Sequence, residues 1–204
     1  MLGLPKNTEI SKALPKNKFY LKFNMPNKAQ ESFDADVSRI VLTNEVSVMS
    51  TSIAKGETMD GFFVVHVLLK KEDFDEKNIS LIAKFLPRKI LMVLEFEGKA
   101  TLVVYETKLI RNNWQPIEDI TVNLQGLNFD EVWANIVHTI QGGEWNKELS
   151  LGENLERKFE IESILKEIEK LEKQIKNEKQ PKKKFELVQK MKKLKEKLVL
   201  DEKV

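Results

Sequence analysis

The chain has no cysteine. Disulfides, thiolate metal sites and a thiol nucleophile are therefore excluded. Histidine is nearly as scarce: His66 and His138 are the only two, and neither an H-x-x-H nor an H-E-x-x-H spacing is present. Both read as structural residues, and no metal site is expected. Glycine and proline are few, at 8 and 6 residues. The glycine-rich phosphate loops G-x-G-x-x-G and G-x-x-x-x-G-K-[ST] are missing, so nucleotide binding has no support. The G-x-S-x-G elbow of a serine hydrolase is missing as well. No apolar run reaches the roughly 20 residues that span a bilayer. Residues 1–12 carry no signal-peptide core, which makes cytoplasmic residence the expectation. Charge of one sign is also lacking: 34 basic residues face 32 acidic ones, for a net charge of +2. That balance is not the footprint of a dedicated nucleic-acid binder.

Apolar residues make up 41% of the 204 positions, enough for one core and an appendage. Residues 1–149 read as a globular domain. Prolines bracket a short helix over 8–14. Phe19, Leu21 and Phe23 alternate with Tyr20 and Lys22, which predicts a strand over 19–24. A helix is expected over 29–37, and strands over 38–48 and 61–70. The second of these runs is almost continuously apolar and suits a central strand covered on both faces. Ile79, Ile82, Ala83 and Leu86 have helical spacing, and Pro87 follows where a helix should stop. Strands over 90–96 and 101–110 flank Glu97, Gly98 and Lys99 as a hairpin. A strand over 120–124 and a helix over 129–140 complete the domain, and Gly142 and Gly143 end that helix. The acid pairs Asp34 with Asp36 and Asp73 with Asp75 fall at element ends, where capping accounts for them. The mixed order of elements predicts an α+β fold, a mixed or antiparallel sheet with packed helices.

Residues 150–204 read differently, as a charged helical hairpin or coiled-coil tail. Ile161, Ile164, Ile168, Leu171 and Ile175 alternate three and four apart. Beyond a break at Gln180 and Pro181, Leu187, Met191, Leu194 and Leu198 do the same. This is heptad spacing, a narrow seam that a second helix covers. The two helices can close the seam on each other, or it can take a second copy or another protein. Glutamates precede lysines by four residues at Glu162 and Lys166, Glu169 and Lys173, and Glu172 and Lys176, each pair supporting an exposed helix by about 0.2–0.5 kcal/mol. Between Lys179 and Lys197 nine lysines stand against two glutamates. Lys182, Lys183, Lys184, Lys190 and Lys193 are the candidate phosphate contacts, either a solvated face or a salt-dependent surface without sequence preference.

One constellation points to chemistry. Glu106, Thr107 and Lys108 form a Glu-x-Lys triplet near the end of the second hairpin strand, and Glu95 or Glu97 can supply a preceding acid. In a metal-dependent nuclease such carboxylates hold a divalent cation while the lysine positions water. Strand alternation would put Glu106 and Lys108 on one face. The proline-aspartate signature of such enzymes is missing, and E-x-K triplets arise readily in a chain this rich in both residues.

Four stretches carry a resemblance: Leu2-Gly3-Leu4-Pro5, Phe33-Asp34-Ala35-Asp36 through Ile40, Leu86-Pro87 through Leu94-Glu95, and Glu178-Lys179-Gln180 through Glu186-Leu187. With these the chain resembles, almost end to end, the prokaryotic domain-of-unknown-function family numbered 4391. The family has no established activity. Its members resemble genes beside restriction-modification or helicase genes, which implies an accessory part in anti-phage defence or DNA processing. The expectation is a non-enzymatic interaction protein, an adaptor whose tail binds a helicase or restriction-type enzyme or itself. It needs no cofactor and touches no membrane. The alternatives are a nuclease using Glu95, Glu106 and Lys108 with magnesium, and a non-specific nucleic-acid binder.

Overall fold

The computed structural model describes residues 2–143, 145–146 and 148–201. The chain divides into two compact units, residues 1–143 and 144–204. The first holds a seven-stranded sheet and four helices; the second holds two long helices. This is the α+β class with a C-terminal hairpin.

The strands are β1 (Glu9–Ala13), β2 (Val37–Ser47), β3 (Gly61–Leu69), β4 (Ile90–Phe96), β5 (Lys99–Tyr105), β6 (Leu109–Arg111) and β7 (Gln115–Pro116). The first six lie in sequence order across the sheet, and β7 also pairs with β5. All neighbours are antiparallel except β3 and β4. That parallel pair needs a crossover, which α3 (Glu76–Ala83) supplies. The β4–β5 turn is formed by Glu97 and Gly98, at φ 47° and 77°. Two consecutive positive φ values match a tight hairpin turn, and glycine supplies the second without strain.

Alternation along β3 and β4 sends Val65, Val67, Met92 and Leu94 to one face, into a core with Phe19, Phe33, Ile79 and Ile82. Those come from α1 (Lys16–Lys22), α2 (Asn27–Asp36) and α3. Phe62 stands on the other face and meets Phe129 and Trp133 of α4 (Phe129–Gln141), with ring centroids 6.5 and 5.4 Å apart. The central strand is thus covered on both sides, and its residues are buried or half-buried throughout.

Two carboxylates, Asp36 and Asp130, fasten the helices. Asp36, 1% exposed, ends α2. It accepts from the Asp75 backbone N–H at 2.8 Å, from Asn78 Nδ2 at 2.7 Å and from Lys71 Nζ at 2.8 Å. It is therefore a tertiary clasp and not a cap; Asp75 is the cap, accepting from the Lys77 N–H. Asp130 in the first turn of α4 accepts from the backbone N–H groups of Glu57 and Thr58 and from the Thr58 hydroxyl at 2.7 to 3.0 Å. This folds the segment before β3 onto the helix N-terminus.

Four expected elements differ. The strand expected over 101–110 is two strands, β5 and β6, which pair antiparallel with each other across the bend at 106–108. Residues 8–14 are not a helix: β1 lies along the sheet edge, paired with β2, and each of its residues is exposed. Edge pairing wins because Glu9 to Ala13 have no buried face to give a helix. Residues 19–24 are not a strand, since α1 covers 16–22. Phe19 is buried, Tyr20 and Phe23 are half-buried and Leu21 is 76% exposed. Spacing of one and four, not two, fits that burial. Residues 120–124 form no strand. A 3-10 turn (Ile117–Asp119) leads into one isolated bridge between Thr121 and Leu2, with Ile120 and Val122 buried.

Candidate functional site

The nuclease constellation is not brought together. β5 ends at Tyr105, and residues 106–108 form a bend before β6, closed by a hydrogen bond from the Glu106 N–H to the Lys108 carbonyl at 3.2 Å. Glu106 and Lys108 therefore do not alternate along one strand. Glu95 pairs with Ala100 near the hairpin turn. Glu106 is six residues further along, roughly 20 Å at the usual strand rise. Glu97 is in the turn itself and exposed.

Glu95 and Glu106 have other partners. Glu95 Oε2 lies 2.6 Å from His66 Nε2 across the parallel β3–β4 pair. Glu106, whose side chain is 13% exposed, binds Lys89 Nζ at 2.6 Å through Oε2 and the Trp133 indole N–H at 2.7 Å through Oε1. Among the described residues no group of three or more His, Asp or Glu is placed to hold a metal ion. His138 makes a bond of its own, with Nε2 3.0 Å from the Gly143 carbonyl oxygen.

Arg88 was not legible as a site residue. It forms ion pairs with Glu45 at 2.8 Å and Asp60 at 3.2 Å and lies over the Phe63 ring at 5.7 Å. It walls two clefts at the start of β3 and β4. One, of about 540 Å³, includes Lys89, Tyr105 and Glu106. The other, of about 600 Å³, includes Ile10, Val48 and Met49. The sequence signal was faint, a basic pair directly after Pro87.

In the second unit, Ser150 opens α5 (Leu151–Asn177) with a capping box: its hydroxyl accepts from the Glu153 N–H, and Glu153 reaches back to the Ser150 N–H at 2.8 Å. The Ser150 hydroxyl, 2.6 Å from the same carboxylate oxygen, and then the Ser150 N–H hold the Glu153 carboxyl below its usual value. After the break, α6 (Pro181–Asp201) returns to form a hairpin with α5. Ile164, Ile168 and Leu171 are buried; Ile161 and Ile175 are half-buried. On α6, Leu187, Met191, Leu194 and Leu198 are all half-buried. The seam therefore closes within the chain, more completely on α5 than on α6.

Charged rails flank the seam. Glu167 binds Lys190 at 2.6 Å, Glu172 binds Lys195 at 3.0 Å, and Glu160 binds Lys197. Of the expected intrahelical pairs, Glu169 with Lys173 is present at 2.7 Å, whereas Glu172 reaches across to α6. Lys190 is thus committed to a carboxylate. Lys182, Lys183, Lys184 and Lys193 are exposed and form no ion pair among the described residues. Among the described residues of this unit, two large apolar side chains remain in solvent: Leu165 is 52% exposed and Phe185 64%.

The family model described as "Domain of unknown function (DUF4391)" matches residues 2–198. No curated protein and no solved structure matches the chain. Among the described residues no helix is long and apolar enough to cross a membrane.

Proposed function

The chain belongs to the family of unknown function known by that description, and we propose that it is a non-enzymatic interaction protein whose C-terminal hairpin docks onto a helix of a larger protein. The observation that carries this reading is the unequal seam. α5 buries its central seam residues, while α6 leaves Leu187, Met191, Leu194 and Leu198 half in water and α5 leaves Leu165 outside. Leu165 follows Ile164 and stands one position round from the seam. A third helix laid beside the pair would cover this apolar edge by the packing that closes helical bundles.

Charge defines the occupant. α6 carries eight lysines against three acids, so the fitting partner is an amphipathic helix with an apolar stripe and acidic flanks. A helicase or restriction-type enzyme is the partner class to test first. The test is affinity capture with the full chain from nuclease-treated native lysate, next to a Leu165→Glu variant. The expected result is one large enzyme retained by the first and lost by the second. Equal retention by both would remove the hairpin edge from the interface.

A further inference from the structure

The outward side of α6 carries a second pattern that the seam does not use. Lys182, Phe185, Gln189 and Lys192 are spaced three, four and three apart, and all four are exposed. At 100° per residue this stripe lies nearly opposite Leu187, Met191 and Leu194. Ten residues of helix make it about 15 Å long. Phe185 is the informative member. A phenylalanine 64% exposed on a two-helix hairpin covers no core. Its ring face is open, one helical turn from Lys182 and two from Lys192. The Lys182 ammonium has no ion pair among the described residues, and Lys192 meets only Glu196, at 3.9 Å. Lys193, also exposed, stands beside Gln189 on the next turn.

We infer that this stripe binds single-stranded nucleic acid, with phosphates on Lys182, Lys192 and Lys193 and one base stacked on Phe185. Separated cations with an open aromatic ring between them match what an unpaired strand offers, a charged backbone and a bare π-face. A duplex hides its base faces and has no use for Phe185. An anionic membrane surface would meet the lysines equally well, but membrane-seated helices present a broad apolar face, and here one ring stands alone with Gln189 behind it. Gln189 adds an amide that donates to a phosphate or a base edge. The inference uses the side of α6 turned away from the seam, so it stands or falls apart from the docking reading.

The test is fluorescence anisotropy with the full chain and a labelled oligothymidylate, alongside a duplex of equal length and vesicles of phosphatidylserine in phosphatidylcholine. The full chain should prefer the single strand, with a log–log salt slope of about −2 for three phosphates. Phe185→Ala should weaken binding about tenfold and leave the salt slope unchanged, while Phe185→Trp restores affinity. The double change Lys182→Gln and Lys192→Gln should flatten the slope by about 1.4. Circular dichroism confirms that each variant keeps its helices, as expected for exposed positions. Three results would overturn the inference: no single-strand binding at low salt, affinity indifferent to Phe185→Ala, or a Phe185-dependent preference for the vesicles.

Discussion

Trp133 donates its indole N–H to Glu106 Oε1 at 2.7 Å, which ties the middle of α4 to the bend after β5. Trp133 is itself buried, and the same carboxylate also neutralises Lys89. The residue that the sequence offered as a metal-holding acid is thus the acceptor that satisfies a core tryptophan. Glu106→Ala should destabilise the protein by about 1–3 kcal/mol, because the buried indole N–H loses the carboxylate that accepts from it. Glu106→Gln keeps an acceptor oxygen and should cost less. Urea unfolding midpoints of the two variants check the order; equal midpoints would show that the indole bond contributes nothing.

Asp36 makes the acid side of the stability curve depend on one clasp. Burial pushes its carboxyl up, but Lys71, Asn78 and the Asp75 N–H outweigh burial and hold it below the usual carboxylate value. A depressed folded value means that the stabilisation is complete above the unfolded carboxyl value, about 3.9. It drains away as pH falls through the lower folded value. Asp36→Asn should therefore be less stable than the wild type at neutral pH, and the gap should narrow as pH drops below about 4. Asp34 and Asp130 are depressed as well, so comparing the variant with the wild type at each pH isolates Asp36. A gap that stayed constant to low pH would contradict the clasp.

Gly56 lies where the segment before β3 meets α4. A Cβ there would sit 2.4 Å from the Asp130 carboxyl carbon, inside any tolerable contact. Gly56→Ala should push Asp130 off the Glu57 and Thr58 donors and cost about 1–3 kcal/mol. In a chain of this size that is a fall in melting temperature of several degrees. Combining it with Asp130→Ala should cost little more than either change alone, since both break one junction.

Legibility followed burial geometry. β3 and α4 were readable because each buries a face whose period matches its element: Phe62 to Leu69 is nearly all apolar, and Val132, Trp133, Ile136, Val137 and Ile140 recur at helical spacing. β1 and α1 were misread because short segments carry too few periods to separate two from 3.6. Phe19, Leu21 and Phe23 suggest a strand only until Leu21 is found in water. The heptad seam was visible, but its closure within the chain was not, because spacing is silent on which helix covers which. At the candidate site, Glu106 and Lys108 were visible as residue types. Their separation from Glu95 follows from the hairpin register, which sets Glu95 opposite Ala100, six residues before Glu106.

The hairpin offers a last contrast, between Ile168 and Met191. Ile168 is buried in the α5 seam, whereas Met191 in the α6 seam is only half-covered. Ile168→Ala should cost about 2–4 kcal/mol and appear as lost helicity at elevated temperature. Met191→Ala should cost about half as much, because part of its surface is still hydrated in the folded chain. The order should invert for association. Once a partner helix covers the α6 edge, the surface that Met191 still exposes is the surface the partner buries. Met191→Ala should then weaken docking about tenfold, more than Ile168→Ala does, although it lowers the melting temperature less. If instead both changes act on stability in the same ratio as on binding, α6 serves only to close the hairpin.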